Sequence, residues 1–482
     1  MVKALAIDVG SSSVRTSLVD EAGQVLATNQ CPLTVRSPSP GEVELDATEI
    51  ARLSLELAAR TLEDGGPCDA VGITNQRATT IVFDYATGEP VGPALSWQDL
   101  RTVLDCLGLQ AKGLRLAPNQ SATKIKWLVD QYGRDQSTLG FATIETWVAW
   151  HLSEGSTFAT DRSNAGITGL VDRTVTHWDE NVLSLLGLDE VMLPAITDTM
   201  GSLGLASALA GSPPITTMIG DQPASLFGQS CVTHGAKITF GTGAMLDVVH
   251  GDKAPAALNR YDSGCYPTVV RCDKGSATWG VEGIILSAGS CVEWLRDLGL
   301  ISDVRDSDEL ASSLSSSDGV SFVPAFSGLG TPKWDFGARG AFFGLTRGSS
   351  SAHLVRAVLE GVAHRGADLL DAAHEEIGEG LGEIRVDGGM SANRFFVQRL
   401  ADFSGHDVAV SSEREATTRG AGLMALVAAG HLSLNGVEAL WSPSYVATPL
   451  LSEDEREATR DAWRSVVERA RATIPELSAV AF

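Results

Sequence analysis

Asp8 stands at the end of an apolar run and is followed by Gly10-Ser11-Ser12-Ser13, which puts a carboxylate at the mouth of a turn rich in backbone donors and hydroxyls. Such a turn suits a metal–phosphate complex. Glycine lets the main chain approach phosphate closely, successive N–H groups donate to its oxygens, and an aspartate holds Mg²⁺ directly or through water. Arg15 adds a positive charge nearby. A second turn of this kind, Gly241-Thr242-Gly243, lies between the apolar flanks 238–240 and 245–249. Either one alone is an ordinary turn, since Asp, Gly and Ser are common turn formers. The pair says more, because a nucleoside triphosphate bound in a cleft needs donors from both walls.

Gly220-Asp221-Gln222-Pro223 follows Met218-Ile219 and places another carboxylate at a strand end. A phosphoryl transfer to an alcohol needs a base within reach of the attacking hydroxyl, and Asp221 fits that task. The same residue would equally well cap a helix over 224–227. Asn75-Gln76-Arg77 and Trp97-Gln98-Asp99 also sit just past strands, offering polar partners and a flat apolar wall to a hydroxyl-rich molecule. An ion-paired Arg77 and a core Trp97 are the alternatives. Gly388-Gly389-Met390-Ser391-Ala392-Asn393 combines a glycine turn with an amide, suited either to a nucleotide base or ribose or to simple close packing. The chain contains no G-x-x-x-x-G-K-[ST] and no protein-kinase signature, so its phosphate chemistry is built differently.

The elements that must position these groups read as follows. Residues 2–9, 14–20 and a stretch after Glu21-Ala22-Gly23 form an antiparallel meander. A helix over 47–62 carries Ile50, Leu53, Leu57 and Ala58 on one face, with Asp46 or Thr48 as cap. Strands near 69–74 and 79–84 and helices at 123–132 and 143–152 precede a loop-rich region from about 153 to 214. The hairpin at 236–249 then repeats the opening arrangement, which implies a duplicated architecture. Helices at 283–297, 352–376, from 391, 415–429 and 453–473 alternate with strands at 319–325, 383–387 and 407–411. This is a mixed α/β chain with its domain junction near residue 249, giving expected domains 1–248 and 249–482.

Composition narrows the function. The chain has 482 residues, enough for two large domains, with ordinary hydrophobic (44%) and charged (20%) shares. Sixty acidic against 36 basic residues give a formal charge of −24, which argues against nucleic acid or an anionic membrane as partner. An anionic substrate would need a local exception to that field. No run approaches the length that spans a bilayer, and the first residues lack a signal-peptide core, so a cytoplasmic location without membrane anchor is expected. The seven cysteines are scattered and show no C-x-x-C spacing, as expected of reduced thiols.

Taken in order, IDVGSSSVR, GITNQRATT, SWQDLRT, SATKIKWLVDQ, TWVAWHL, GDQPASLFGQ, FGTGAM, VPAFSGLGTPKWD, ARGAFFGLTRG and RVDGGMSAN resemble the FGGY carbohydrate kinases over nearly the whole chain, and within them the glycerol kinase branch. The resemblance implies a two-domain actin-like (ribonuclease H-like) ATPase fold that closes on ATP, Mg²⁺ and a small polyol or sugar in an interdomain cleft, with a homodimer or homotetramer as the expected assembly. It implies Asp221 as catalytic base and, with Asp8, as a group positioning Mg²⁺. It implies Gly10, Ser11, Ser12, Ser13, Arg15, Gly241, Thr242 and Gly243 around the phosphates, and Gly289, Glu293, Gly389 and Asn393 around the rest of the nucleotide. Arg77, Trp97, Asp221 and Gln222 match the acceptor-binding set. Three of its positions depart: Ala78 replaces a glutamate, Asn119 a tyrosine and Met245 a phenylalanine, and Glu293 replaces a glutamine at the nucleotide. These changes imply either glycerol or a four- or five-carbon polyol or ketose such as xylulose as acceptor. An actin-like ATPase without a small-molecule acceptor is the alternative from another class.

Overall fold

The apolar run 4–7 is buried on both faces and becomes the inner strand Lys3–Val9, against which Ser13–Asp20 and then Val25–Pro32 fold back antiparallel. On its other edge Ala70–Asn75 adds in parallel, followed by Pro214–Gly220. The second half repeats this plan. Ala236–Phe240 and Ala244–Gly251 form a hairpin, Ser276–Ile285 continues the antiparallel side, and Ile384–Asp387 and Val408–Ser411 add in parallel. One parallel pair, Met200 with Asp273, joins the two groups into a single 13-stranded sheet. The structure, a computed structural model, describes residues 1–132, 135–256, 260–378, 380–413 and 415–480.

The expected meander, the duplicated hairpins and the long helices are all present. The helix Ala47–Gly65 is capped by Asp46, whose Oδ1 accepts from Thr48 N at 2.9 Å, and its Ile50, Leu53, Leu57 and Ala58 face the sheet. The 27-residue helix Ser351–Ile377 starts with a capping box made by Ser350 and His353. One expectation differs. Residues 276–285 continue as strand, and the helix begins only at Gly289, because Val281 and Ile285 are needed in a ladder paired on both edges. The region 153–214 is loop-rich as expected, with short elements such as Met200–Leu205 and Glu180–Leu186 set within it. The chain passes from the first group of strands to the second between Gly220 and Ala236.

Separate apolar cores sit under each group, one around Leu5, Ile50 and Trp147 and another around Ile238, Val358 and Phe396. What relates the two halves is a crossing of helices. Asp221–Gly228 leaves the first group of strands, and Ala416–Ala428, from far along the chain, returns to pack on that same group. The two helices meet at Gly228 and Gly420. A Cβ on Gly228 would collide with the Ala416 carbonyl, and one on Gly420 with the Ala224 carbonyl. The Arg419 guanidinium donates to the carbonyls of Gly228 and Gly23, locking the contact. Among the described residues no helix is long and apolar enough to cross a membrane, and the seven cysteines are unpaired.

Gly420→Ala forces these backbones apart and is expected to cost about 1–3 kcal/mol, the usual penalty for overpacking. A urea titration should show an earlier unfolding midpoint for the variant.

Candidate active site

Asp8 ends its strand half-buried, and the hairpin turn closes behind it with Gly10 N donating to Ser13 O at 2.9 Å. Gln76 holds the turn from below, its Nε2 donating to Gly10 O at 3.1 Å. Thr418, 410 residues later and on the returning helix, donates to Asp8 Oδ2 at 2.8 Å. Burial pushes the Asp8 carboxyl up to about 6, against the opposing pull of the Thr418 hydrogen bond, and the negative charge of Asp221 pushes the same way as burial. Two carboxylates that raise one another's cost of ionisation suit a bound cation. A Mg²⁺ site needs only one or two protein carboxylates when substrate phosphates complete its shell, so Asp8 and Asp221 are a chemically fitting pair. Arg15 lies beside Asp8 across the ladder but is spent on Glu415 and on Gln30 Oε1 at 3.1 Å.

Asp221 is the first residue of its helix, one-third exposed, and its Oδ1 accepts from Gln222 N at 2.8 Å. Arg77 Nε lies 3.4 Å from the same oxygen, while its other arm donates to Glu282 Oε2 at 2.5 Å. Burial raises the Asp221 carboxyl and Arg77 opposes the shift. Glu282 comes from the second group of strands, so Arg77 bridges the two halves beside Asp221. Gly220 is required there, since a Cβ would strike the Arg77 side chain.

Trp97 is 37% exposed, and its Nε1 donates to Ser11 Oγ at 3.1 Å, tying this wall to the first turn. Asn119 is half-buried near it, and Ala78 is buried with a left-handed φ of 61°. Met245 lies on the strand that pairs with Glu282's strand, on the same face as Asp247. Of the two polar trios, Arg77 lies against Asp221 and Trp97 bonds Ser11. Asn75 bonds Asn164 and Asp99 bonds Arg101, both as internal ties.

The second turn is stitched to a helix start: Gly289 N donates to Gly241 O at 2.9 Å and Ala288 N to Thr242 O at 2.8 Å. Gly289 has no room for a Cβ beside the Gly241 carbonyl. Beyond it opens a cavity of about 320 Å³ lined by Gly241, Thr242, Gly289, Glu293, Gly389 and Asn393. The Asn393 side chain is committed elsewhere, its Oδ1 capping the next helix at Phe396 N (2.8 Å) and its Nδ2 donating to Ser307 Oγ at 3.0 Å. It shapes this cavity more than it offers a free amide.

Sequence reasoning missed the charges behind the base. Lys237, fully buried, donates to Gln222 Oε1 (3.0 Å) and Thr239 Oγ1 (2.9 Å) and lies 3.1 Å from Asp247 Oδ2. Burial would lower its pKa, but Asp247 and Asp387 outweigh it and keep the ammonium charged. Lys237, Asp247 and Glu282 are cross-strand neighbours on three adjacent strands. A lysine and two acids inside otherwise apolar strands were the available signal.

Residues 3–228 match the N-terminal domain of the FGGY family of carbohydrate kinases, and residues 236–429 match its C-terminal domain. Glycerol kinases of Aromatoleum aromaticum and Dechloromonas aromatica are each 39% identical to this chain over 97% of its length, covering 98% and 97% of their own. A glycerol kinase of Plasmodium falciparum, solved with ADP, superposes with a TM-score of 0.92 at 30% identity, covering 98% of both chains. A xylulose kinase of Lactobacillus acidophilus shares the fold, with a TM-score of 0.86 at 18% identity over 97% of this chain and 98% of its own. The chain belongs to the FGGY family of carbohydrate kinases. Its fold is the two-domain actin-like (ribonuclease H-like) one, and it is a phosphotransferase acting on an alcohol.

The raised Asp8 carboxyl carries a stability consequence. Its native pKa lies above the unfolded value, so ionisation disfavours the fold as pH rises through about 6. Asp8→Asn is expected to raise the melting temperature by a few degrees at pH 8. The gain should shrink toward zero near pH 4, as melting curves across that range would reveal.

Proposed function

We propose that this FGGY kinase transfers the γ-phosphoryl group of ATP to a hydroxyl of a small polyol, with glycerol as the first candidate and Asp221 as the base. The supporting observation is the placement of Asp221 at a helix start, beside Arg77 and in the electrostatic neighbourhood of Asp8, with Arg77 bonded across to Glu282 of the second half. Asp221 accepts the proton of the attacking hydroxyl. Arg77, Trp97 and Gln222 hold the acceptor against it, and the turns Gly10–Ser13 and Gly241–Gly243 receive the phosphates through backbone N–H groups. Asp8, with Asp221, would hold Mg²⁺, which supplies charge neutralisation on the migrating group when bound. The cavity beside Thr242 takes the base and ribose.

The relatives named glycerol kinase favour glycerol. Ala78, Asn119 and Met245 favour a second reading, a four- or five-carbon polyol or ketose. An alanine at position 78 supplies no side-chain acceptor for a substrate hydroxyl, and such a charged bond contributes roughly 1.5–3 kcal/mol. Smaller or more flexible side chains at 119 and 245 leave room for a longer acceptor. ADP release measured over glycerol, erythritol, xylitol and xylulose separates the two. Highest kcat/KM with glycerol supports the first reading, and activity confined to the longer acceptors replaces it with the second.

Asp221→Asn should lower kcat by about 10²–10⁴-fold, the usual contribution of a general base, with little change in ATP affinity by calorimetry. Near-normal turnover would remove Asp221 from the role. In the unsubstituted enzyme, kcat/KM should rise with pH through about 6, because Asp8 and Asp221 both ionise later than ordinary carboxyls. A pH profile flat down to pH 5 would contradict that assignment.

A further inference from the structure

Behind the acceptor wall lies a lysine that the mechanism does not use. Lys124, on the helix Ala122–Tyr132, is completely buried and donates from Nζ to Ser96 O at 2.7 Å and, more weakly, to Asn119 O at 3.5 Å. Ser96 immediately precedes Trp97, and Asn119 is itself a wall residue. One turn earlier, Ser121 Oγ donates to the carbonyl of Ala78 at 3.3 Å. Thr123 Oγ1 pairs with Thr102 Oγ1 at 2.8 Å, fixing the end of the segment that carries Trp97. The first turn of one helix thus reaches all three separate segments that bear Ala78, Trp97 and Asn119.

The lysine is an expensive choice for that place. No carboxylate among the described residues contacts its ammonium. The neighbouring Asp99 gives both oxygens to Arg101 and one also to Val43 N. Burial pushes the Lys124 pKa down to about 7, partly offset by Asp99. A Met or Leu would fill the same space without that desolvation cost. What an apolar residue lacks is donors for the buried carbonyls of Ser96 and Asn119, which would then be left without this partner.

We infer that Lys124 and Ser121 act as positioning residues, a clamp that sets the spacing of Trp97, Asn119 and Ala78 and so the fit of the acceptor. The inference rests on the reading of these three residues as the acceptor wall. The cavity assigned to base and ribose is lined by residues from 240 onward, and the clamp touches the first phosphate turn through the Trp97–Ser11 hydrogen bond, so its main effect falls on acceptor binding.

The test is steady-state kinetics with glycerol and ATP on Lys124→Met, Lys124→Gln, Ser121→Ala and Trp97→Ala. Lys124→Met is expected to raise KM for glycerol about tenfold or more, in line with the cost of misplaced binding groups, with KM for ATP within about twofold. Lys124→Gln keeps a donor and should recover part of the loss, and Ser121→Ala should show a smaller rise of the same kind. If Lys124→Met fails to fold, Ser121→Ala and Lys124→Gln carry the decision. Should Trp97→Ala raise the glycerol KM while the clamp variants leave it unchanged, or shift both KM values together, the clamp is overturned and the wall stands. Should Trp97→Ala leave the glycerol KM unchanged, the wall reading fails and the clamp falls with it.

Discussion

Two helix backbones touch at Gly228 and Gly420, at a separation that admits no Cβ on either side, and the geometry of the cleft follows from that contact. One helix begins with Asp221 and the other carries Thr418 in its first turn, so pressing them together brings both to the end of the strand that bears Asp8. Arg419 holds the crossing through two carbonyls, Gly228 at the end of the facing helix and Gly23 from a further segment. A carboxylate from the start of the chain, another from its middle and a hydroxyl from near its end thereby meet in one place. Local propensity cannot produce that meeting. It depends on a close backbone approach, which only glycine permits.

Around this pivot the two halves are joined electrostatically as well as sterically. Arg77 from the first half bridges Asp221 and Glu282, and Lys237 from the second half reaches back to Gln222. Buried ion pairs contribute modestly to net stability, but removing one partner is costly because the other charge is left stranded in a poor solvent. Such a network favours one relative placement of the halves over its alternatives. It also tunes Asp221: burial raises its carboxyl, and Arg77 limits how far that goes.

Much of this was legible in the sequence, and the rest was hidden for identifiable reasons. The hairpin turns at Gly10–Ser13 and Gly241–Gly243 were readable because glycine and small hydroxylic residues in adjacent positions mark a tight turn between apolar strands. The opening meander and the helix Ala47–Gly65 followed from period and cap. The strand through Ile285 was misread as helix because its apolar run lacks clean alternation when both edges are paired and both faces are covered. Glu282, Lys237 and Asp247 were missed for a related reason: a charge in a strand reads as a solvent-facing position until the partner half is present. Lys124 looks like one of the exposed lysines of an amphipathic helix, and only the folded loops reveal that it points inward. Thr418 carries no local signal, since its role depends on a contact spanning 410 residues.

The central claim is that two halves of the chain hold a nucleotide and an alcohol between them with Asp221 directed at the alcohol. A crystal structure with a non-hydrolysable ATP analogue, Mg²⁺ and glycerol tests this most directly. The account predicts phosphates lying between Gly10–Ser13 and Gly241–Gly243, and an acceptor hydroxyl within hydrogen-bond reach of Asp221, about 2.6–3.2 Å. A nucleotide bound away from both turns, or an acceptor out of reach of Asp221 in the closed complex, would contradict it.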